Sequence, residues 1–343
     1  MFRSLPIFCL VSGLSLFFTA CGGMPKFKNV EEVKKNDEFD RAVKIEEAPA
    51  DIVPPPAPPP KPEVPKVVEK RSGKKSVKKS APVEKKLRRL PELESDVGFI
   101  EVPPARRPLV DPFRIGEKVV HSVRWMQFNA GTLTMEVLPF ASVNGRLNYN
   151  FRMAIATSTI FSTFHSVDDF VTTLVDYETL VPSVFKLSVR ESNQVREAQS
   201  FFDFDRRQAR FWEKKVTKEE GETQRKLEWE ILDYSQNVYS SLFYIRNFTY
   251  QDGGVYPFRV ANEGENLIFK AKVVRREKLK TKVGDFPAVV ILPEIELKGK
   301  YKPIGDNLMW LSDDDRKYIL RIESKIAIGT LVSEITELIP GKN

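Results

Sequence analysis

The chain has 343 residues, of which 54 are basic and 47 acidic, giving a formal net charge of +7 and an isoelectric point near 9.1. Residues 61–90 alone hold twelve basic and three acidic residues, so the rest is nearly neutral and a nucleic-acid-binding body is excluded. With only Cys9, Cys21, His121 and His165, the chain has no residue set for a cysteine-based or multi-histidine metal site.

The first 23 residues are typical of an export signal. Arg3 precedes an apolar run, Leu5–Thr19, of about fifteen residues, shorter than the roughly twenty that a membrane-spanning helix needs. The run ends in Phe18-Thr19-Ala20-Cys21-Gly22-Gly23, which resembles a bacterial lipobox with Phe where the pattern prefers Leu. The resemblance implies cleavage before Cys21 and attachment of lipid, such as palmitate, to that cysteine. A conventional cleavage site is the alternative.

The residue after the cysteine bears on location. The residue after Cys21 is Gly22 and not Asp. By analogy with lipoprotein sorting in enteric bacteria, this favours the outer membrane of a Gram-negative cell. Two or three acyl chains hold a protein firmly on a membrane, at roughly 0.8 kcal/mol per buried methylene. We therefore predict a lipid-anchored envelope lipoprotein that faces the periplasm.

Residues 21–108 are predicted to be the lipidated cysteine followed by a disordered tether rich in Pro and Lys. Pro54–Pro60 favours extended polyproline II geometry, and Arg71–Ser80 is of low complexity. Such a tether would reach about 270 Å if extended, or roughly 50 Å as a coil. Two compatible roles are open for its Lys61–Arg89 tract. The tract contacts peptidoglycan or anionic lipid, or it serves as a solvated spacer.

Residues 109–340 are predicted to form a mainly β domain. Val119, His121, Val123 and Trp125 alternate with polar residues, and the same period recurs along the domain, which is typical of half-buried strands. Short turns between the runs indicate antiparallel neighbours. The fold class is a strongly curved antiparallel sheet, or an open or half β-barrel, with one or two short helices. The predicted turns are Asn129-Ala130-Gly131, Asn144-Gly145, Asp205-Arg206-Arg207, Asn262-Glu263-Gly264 and Ser312-Asp313-Asp314-Asp315.

Two segments break the strand pattern. Ser235–Phe248 has apolar residues at three- and four-residue spacing, which predicts an amphipathic helix capped by Asp233 that closes one mouth of the sheet. Ile160–Phe170 is the second candidate for helical or irregular structure.

From about Val119 to Leu338 the sequence resembles the bacterial family of unknown function DUF3108. The resemblance implies an exported, mainly β envelope protein and no established activity, so no catalytic residue follows from it. It rests on Trp125 with Ala130-Gly131-Thr132-Leu133, Asp176-Tyr177-Glu178-Thr179-Leu180-Val181-Pro182, Phe202-Asp203-Phe204-Asp205, Leu242-Phe243-Tyr244-Ile245-Arg246, Gly284-Asp285-Phe286-Pro287-Ala288 and Trp310-Leu311-Ser312-Asp313-Asp314.

Polar motifs in the body favour structural roles over chemistry. Asp313–Asp315 is interpreted as a solvated turn rather than a Ca²⁺ site, because three consecutive carboxylates point in different directions. His121 lies on the apolar face of its strand and is predicted to be a hydrogen-bonded core histidine. His165 has serine and carboxylates nearby but no nucleophile-elbow motif. We predict no catalytic residue, no cofactor and no metal.

The body carries thirty aromatic residues. An ordinary core accounts for most of them; the alternative is a concave apolar cavity that holds an acyl chain or a glycan. On that hypothesis Tyr244, Arg246 and Trp310 are candidate ligand contacts, with Arg246 pairing a phosphate or carboxylate at the cavity mouth.

Three functions follow. The first is a non-enzymatic lipoprotein that binds or presents an apolar or glycan envelope component. The second is a structural or interaction protein that reaches the cell wall through its basic linker. The third is a hydrolase of envelope polymers. A lined cavity favours the first over the second, and a cleft with paired carboxylates of shifted pKa favours the third.

Overall fold

A computed structural model describes residues 35–49, 107–297, 300–303, 307–326 and 329–342. These residues contain sixteen strands, three helices and a 3₁₀ turn. The strands are β1 (Ile45–Glu47), β2 (Glu117–Trp125), β3 (Phe128–Val143), β4 (Arg146–Thr157), β5 (Asp168–Asp176), β6 (Pro182–Arg190), β7 (Gln194–Asp203), β8 (Gln208–Thr217), β9 (Gly221–Glu230), β10 (Val255–Asn262), β11 (Glu265–Thr281), β12 (Gly284–Leu297), β13 (Lys300–Pro303), β14 (Leu308–Ser312), β15 (Ile319–Ile326) and β16 (Gly329–Pro340). The helices are α1 (Asp37–Ala42), α2 (Thr159–Ser162) and α3 (Val238–Tyr244), and the 3₁₀ turn η1 is Ile245–Asn247.

All sixteen strands belong to one antiparallel sheet. Its order is β10-β11-β12-β14-β15-β16-β2-β3-β4-β5-β6-β7-β8-β9, with β1 beside β3 and β13 beside β12. The first and last long strands, β2 and β16, pair in the middle of the sheet. The terminal strands β9 and β10 are consecutive in sequence, and α3 connects them. The prediction of a mainly β, curved antiparallel fold with few short helices is confirmed.

The sheet curves until its two terminal strands approach each other. Between them, the Gln236 backbone amide donates to the Arg259 carbonyl, and the Gln236 backbone carbonyl accepts from the Ala261 amide, both at 2.8 Å. Asn266 at the start of β11 donates to the carbonyl of Glu230 at the end of β9, at 2.9 Å. No ladder joins β9 to β10 among the residues that the structure describes, so the sheet remains open.

Helix α3 fills the concave face of the sheet. Phe243 stacks on Phe151 of β4 with ring centroids 4.1 Å apart, and Tyr239 packs against Phe185 of β6 at 5.4 Å. Six of the seven α3 residues are buried. The helix predicted over Ser235–Phe248 is present, but it is buried on nearly every side rather than amphipathic, and such a helix belongs in a core.

The predicted cap and second helix need correction. Asn237, not Asp233, caps α3: its side-chain oxygen accepts from the Tyr239 and Ser240 amides, and Ser240 Oγ accepts from the Asn237 amide. This capping box offers two reciprocal hydrogen bonds. In the second segment only α2 is helical, and β5 already begins at Asp168.

One predicted turn is wrong, and the structure shows why glycine is found there. Asn129-Ala130-Gly131 lies inside β3. The chain reverses before β3 begins, at Met126 and Gln127, where Met126 takes φ +55°. The β2–β3 register shifts at Ala130, as in a bulge. A Cβ on Gly131 would lie 2.3 Å from the carbonyl oxygen of Ala156, so close approach of β4 excludes any side chain. The other four predicted turns are confirmed.

Residues 35–49, which we assigned to the disordered tether, are folded onto the convex face. Phe39 of α1 is fully buried against Trp212 of β8, with ring centroids 5.8 Å apart, and β1 pairs with Ala141–Val143. Asn36 donates to Gln199 of β7 at 2.8 Å. The sequence misled because only three large apolar residues, Phe39, Val43 and Ile45, carry this contact, and a helix this short is stable only by docking.

The segments on either side of residues 50–106 meet the sheet at one place. The Ala48 amide donates to the Phe140 carbonyl at 3.2 Å. The Arg107 guanidinium lies over the Tyr177 ring at 4.6 Å, and that ring is 5.7 Å from Phe140. The Pro-rich stretch and the Lys61–Arg89 tract lie outside the described residues, so their predicted roles stay predictions. Both ends of this stretch are nevertheless fixed to the sheet, so it does not separate the domain from an anchor at Cys21.

Candidate functional site

Arg246, a predicted ligand contact, is buried and paired within the protein. It lies in η1, and its guanidinium holds Glu117 at the start of β2, with Nη1–Oε1 at 2.6 Å and Nη2–Oε2 at 3.1 Å. Arg316 also donates to Glu117 Oε2, at 2.7 Å. The carbonyl of Arg316 accepts from Arg246 Nε and Nη2, and the carbonyl of Pro112 accepts from Nη2. A head group would have to displace Glu117 to bind this guanidinium.

The other two predicted ligand contacts are also buried, each in its own surroundings. Tyr244 packs on Phe248 and Phe258, with ring centroids 5.4 Å apart in both pairs. Trp310 of β14 donates from its indole nitrogen to Glu277 Oε1 at 2.6 Å. The three residues have separate partners rather than a shared opening. Ligand contact by Tyr244, Arg246 and Trp310 stays a prediction. The hydrogen-bonding atoms of Arg246 and Trp310 named above are already engaged within the protein.

A charged cluster missed by sequence analysis lies on the concave face beside the aromatic core. Arg196 of β7 pairs with Glu213 of β8 and with Glu263 in the β10–β11 turn, the latter at 2.9 Å. Arg225 of β9 pairs with the same two carboxylates. Although burial opposes it, Glu213 and Glu263 raise the pKa of Arg196. The cluster joins the tip of the β10–β11 hairpin to strands β7–β9, so it holds the curved sheet together.

A second polar cluster lies where β5 and β6 approach α2. Burial, together with the charges of Glu191 and Asp168, raises the pKa of Asp169 to about 7, although the Arg190 amide, which donates to Asp169 at 2.8 Å, lowers it. His165 Nε2 is 3.9 Å from Glu191 Oε2 and has no hydrogen-bond partner among the described residues. A buried carboxyl that exchanges a proton near neutral pH is suited to acid–base chemistry. The adjacent Asp168-Asp169 and His165 were the only sequence signal.

The remaining polar motifs are structural. His121 is fully buried, its Nε2 2.8 Å from the Ile319 carbonyl and its Nδ1 3.0 Å from Ser333 Oγ, and burial lowers its pKa to about 4. Asp314 accepts from the Arg316 and Lys317 amides and so fixes the turn between β14 and β15. In the described part of the chain, no three His, Cys, Asp or Glu side chains are grouped to hold a metal ion.

The structure also shows one open groove on the convex face beside α1. It has a volume of about 460 Å³ and is lined mainly by charged residues of β7, β8 and the turn between them: Asp203, Asp205, Arg206 and Arg210. Within the described ranges, no helix is long and apolar enough to cross a membrane.

Three solved structures are similar to the chain at low identity. A β-barrel-like DUF1849 protein from Brucella abortus has a TM-score of 0.39 and 9% identity, covering 66% of this chain and 98% of its own. A candidate exported protein with a YmcC-like fold from Bacteroides fragilis has a TM-score of 0.30 and 8% identity over 67% and 98%. A candidate lipoprotein from Parabacteroides distasonis has a TM-score of 0.29 and 9% identity over 67% and 97%. At these scores the likenesses carry no argument about function.

No curated protein matches the chain. The model of the family described as a protein of unknown function, DUF3108, matches residues 120–336, which is most of the folded domain. The predicted resemblance is therefore confirmed, and the chain belongs to the DUF3108 family.

Proposed function

We propose that this protein is a lipid-anchored envelope protein that acts by binding another envelope component at its outer surface, without catalysis. The export signal and the lipobox-like Phe18–Gly23 support the anchor, because cleavage before Cys21 leaves that cysteine at the N-terminus for acylation. A location in the outer membrane, facing the periplasm, is the form of this proposal that Gly22 favours.

The packing of the concave face is the observation that favours binding at the outer surface over binding in an internal cavity. The space where a carrier would hold an acyl chain or a glycan is occupied by α3, and Phe151, Phe211 and Phe243 are buried there. Arg246 is neutralised by Glu117 rather than open to a head group. A carrier would need this core to open, which costs the packing of several aromatic side chains.

Hydrolysis of an envelope polymer is a second candidate, favoured by the cluster of Asp169, Glu191 and His165. Asp169 has the raised pKa of a general acid, but glycoside hydrolysis needs a second carboxyl group across the substrate. Substitution Asp169→Asn separates the candidates: a binding protein keeps its cellular role, and an enzyme loses it.

The anchor is tested by fractionating cells that express Cys21→Ala. The proposal predicts that the parent protein is found with membranes and that the variant is released in soluble form. Retention of the variant on membranes to the same extent as the parent would overturn the lipid anchor.

A further inference from the structure

Two neighbouring turns expose large apolar side chains at one end of the sheet. Met126 and Phe128 at the β2–β3 turn are 64% and 63% exposed, and Ile160 and Phe164 on and after α2 are 75% and 76% exposed. Among the described residues, only Leu109 and Val110 are exposed large apolar residues of comparable degree elsewhere. We call Met126, Phe128, Ile160 and Phe164 the apical patch.

The apical patch is continuous because the two turns are held together. The Ser158 amide donates to the Ala130 carbonyl at 2.9 Å, and Ser158 Oγ donates to the Asn129 carbonyl at 2.8 Å. Beneath the exposed side chains, the rings of Trp125 and Phe161 meet edge to face with centroids 6.4 Å apart. The patch therefore has a fixed base and protruding apolar tips.

Both turns lack charge in a chain that is 29% charged. Residues 125–135 and 153–164 contain no Asp, Glu, Lys, Arg or His. Burial of these segments in an apolar or interfacial environment therefore desolvates no ionised side chain of either turn, and desolvation of charge is the main cost of such burial.

The first described residue, Lys35, lies toward the same end of the sheet. β1 pairs with Ala141–Val143 at the far end of β3, whereas Asn36 is beside Gln199 and the Lys35 carbonyl accepts from Lys214, nearer the end that bears the patch. The register from Lys214 through Glu197 and Ser188 reaches Phe170, two residues from the start of β5. Lys35, the first described residue, therefore lies nearer the end of the sheet that bears the patch than the opposite end.

The docking of residues 35–49 also shortens the connection to the anchor. From Cys21 to Lys35 there are fourteen residues, which span at most about 50 Å when extended and about 20 Å as a coil. The predicted tether of 87 residues would have left the orientation of the domain unconstrained. A connection of this length keeps Lys35, and with it the patch end of the domain, within about 50 Å of the bilayer.

We propose that the apical patch inserts into the interfacial region of the same bilayer that carries the lipid at Cys21. This inference rests on the proposed lipid anchor. Exposed aromatic and aliphatic side chains on uncharged segments are the chemistry that partitions into the boundary between head groups and acyl chains. The anchor supplies the proximity, and the patch sets the orientation, so the two signals together hold the domain against the membrane.

The test supplies the anchor chemically, so that it does not depend on lipidation in cells. In the chain from Cys21 to Asn343, which keeps every described residue, Cys21 is the only cysteine and couples to a maleimide lipid. The vesicles contain phosphatidylethanolamine, phosphatidylglycerol and a dibrominated lipid that quenches tryptophan on contact. Phe164→Trp places a reporter in the patch, and Val274→Trp, at a 45% exposed position in β11, is the matched control.

Each reporter is measured as the difference in emission from the parent chain, which carries four native tryptophans. We expect the Phe164→Trp difference to shift to shorter wavelength and to lose most of its intensity, while the Val274→Trp difference is unchanged. Unquenched emission from both reporters, or equal quenching of both, would overturn the inference. A dimer of the coupled chain that Phe164→Asp abolishes would also overturn it, because the patch would then bind a second copy. The anchor fails separately, if the mature protein from cells carries no lipid on Cys21.

Discussion

Arg246 and Glu117 are 129 residues apart in sequence and form a buried two-contact ion pair between η1 and the start of β2. The pair fixes the end of α3 inside the curved sheet at the point where β2 joins β16. Arg316 supports the same carboxylate from the β14–β15 turn. Three segments far apart in sequence are thus held by one glutamate.

Loss of one partner of this pair should be costly. We expect Arg246→Leu to lower the free energy of unfolding by about 3–5 kcal/mol, because it removes one of the two guanidinium partners of a buried carboxylate. Urea denaturation measures this loss. Arg124→Leu is the control, because Arg124 forms a half-exposed pair with Glu334 at 3.6 Å and should cost no more than about 1 kcal/mol. Equal effects of the two substitutions would contradict a structural role for Arg246.

Close approach of β4 to β3 predicts that Gly131→Ala destabilises the protein by about 1–3 kcal/mol, as overpacking does. The new Cβ would meet the Ala156 carbonyl oxygen. Gly145→Asn is the control, because a Cβ there meets no described residue within 4 Å and Asn tolerates a positive φ. Thermal unfolding compares the two. A stable Gly131→Ala variant would show that β3 and β4 do not pack this closely.

The two buried titratable groups predict opposite pH dependences. His121 has a folded pKa of about 4 against an ordinary value of 6.5, so the unfolded chain takes up the proton first as pH falls. Burial of the neutral imidazole therefore contributes stability that is fully present above pH 6.5. As pH falls from 6.5 to 4, the free energy of unfolding drops by up to about 3 kcal/mol. His121→Gln should flatten this part of the stability curve. An unchanged curve would contradict the burial of a neutral imidazole.

Asp169 has the opposite sign. Its folded pKa of about 7 lies above the ordinary value of 3.8, so its contribution to stability is present below pH 3.8 and is lost as pH rises to 7. Asp169→Asn should therefore gain stability over the parent as pH rises from 4 to 8, by up to about 4 kcal/mol. Urea denaturation at the two pH values measures the difference. A difference that does not change with pH would show that Asp169 is ionised in the fold.

The docking of α1 predicts that Phe39→Ala releases residues 35–49 without unfolding the domain. Phe39 fills the convex-face pocket against Trp212, and β1 has only three residues paired with β3. Hydrogen exchange should accelerate in residues 36–47 and in Ala141–Val143, and remain slow in β12. Asp37→Ala, at an exposed position, is the control. Slow exchange throughout the Phe39→Ala variant would contradict docking through this side chain.

The sequence was sufficient for what alternation and turn chemistry determine locally. The strands from β2 to β16 other than β5 and β13, and the turns at Asn144-Gly145 and Glu263-Gly264, follow from periods and positive-φ residues. Pairing across the fold was not readable: nothing local links Arg246 to Glu117, or Arg196 to Glu263. Gly131 looked like a turn residue because glycine at a turn and glycine under a close strand are the same letter. The docking of Phe39 was also unreadable, because its partner Trp212 is far away in sequence and the residues around Phe39 are charged.

The most direct measurement is the intact mass of the mature protein, extracted gently from the membranes of its own cells. The account predicts a chain that begins at Cys21, carries its acyl chains there and retains no stoichiometric small molecule. A chain that begins at another residue, an unmodified Cys21, or an apolar ligand bound one to one within the domain would contradict it.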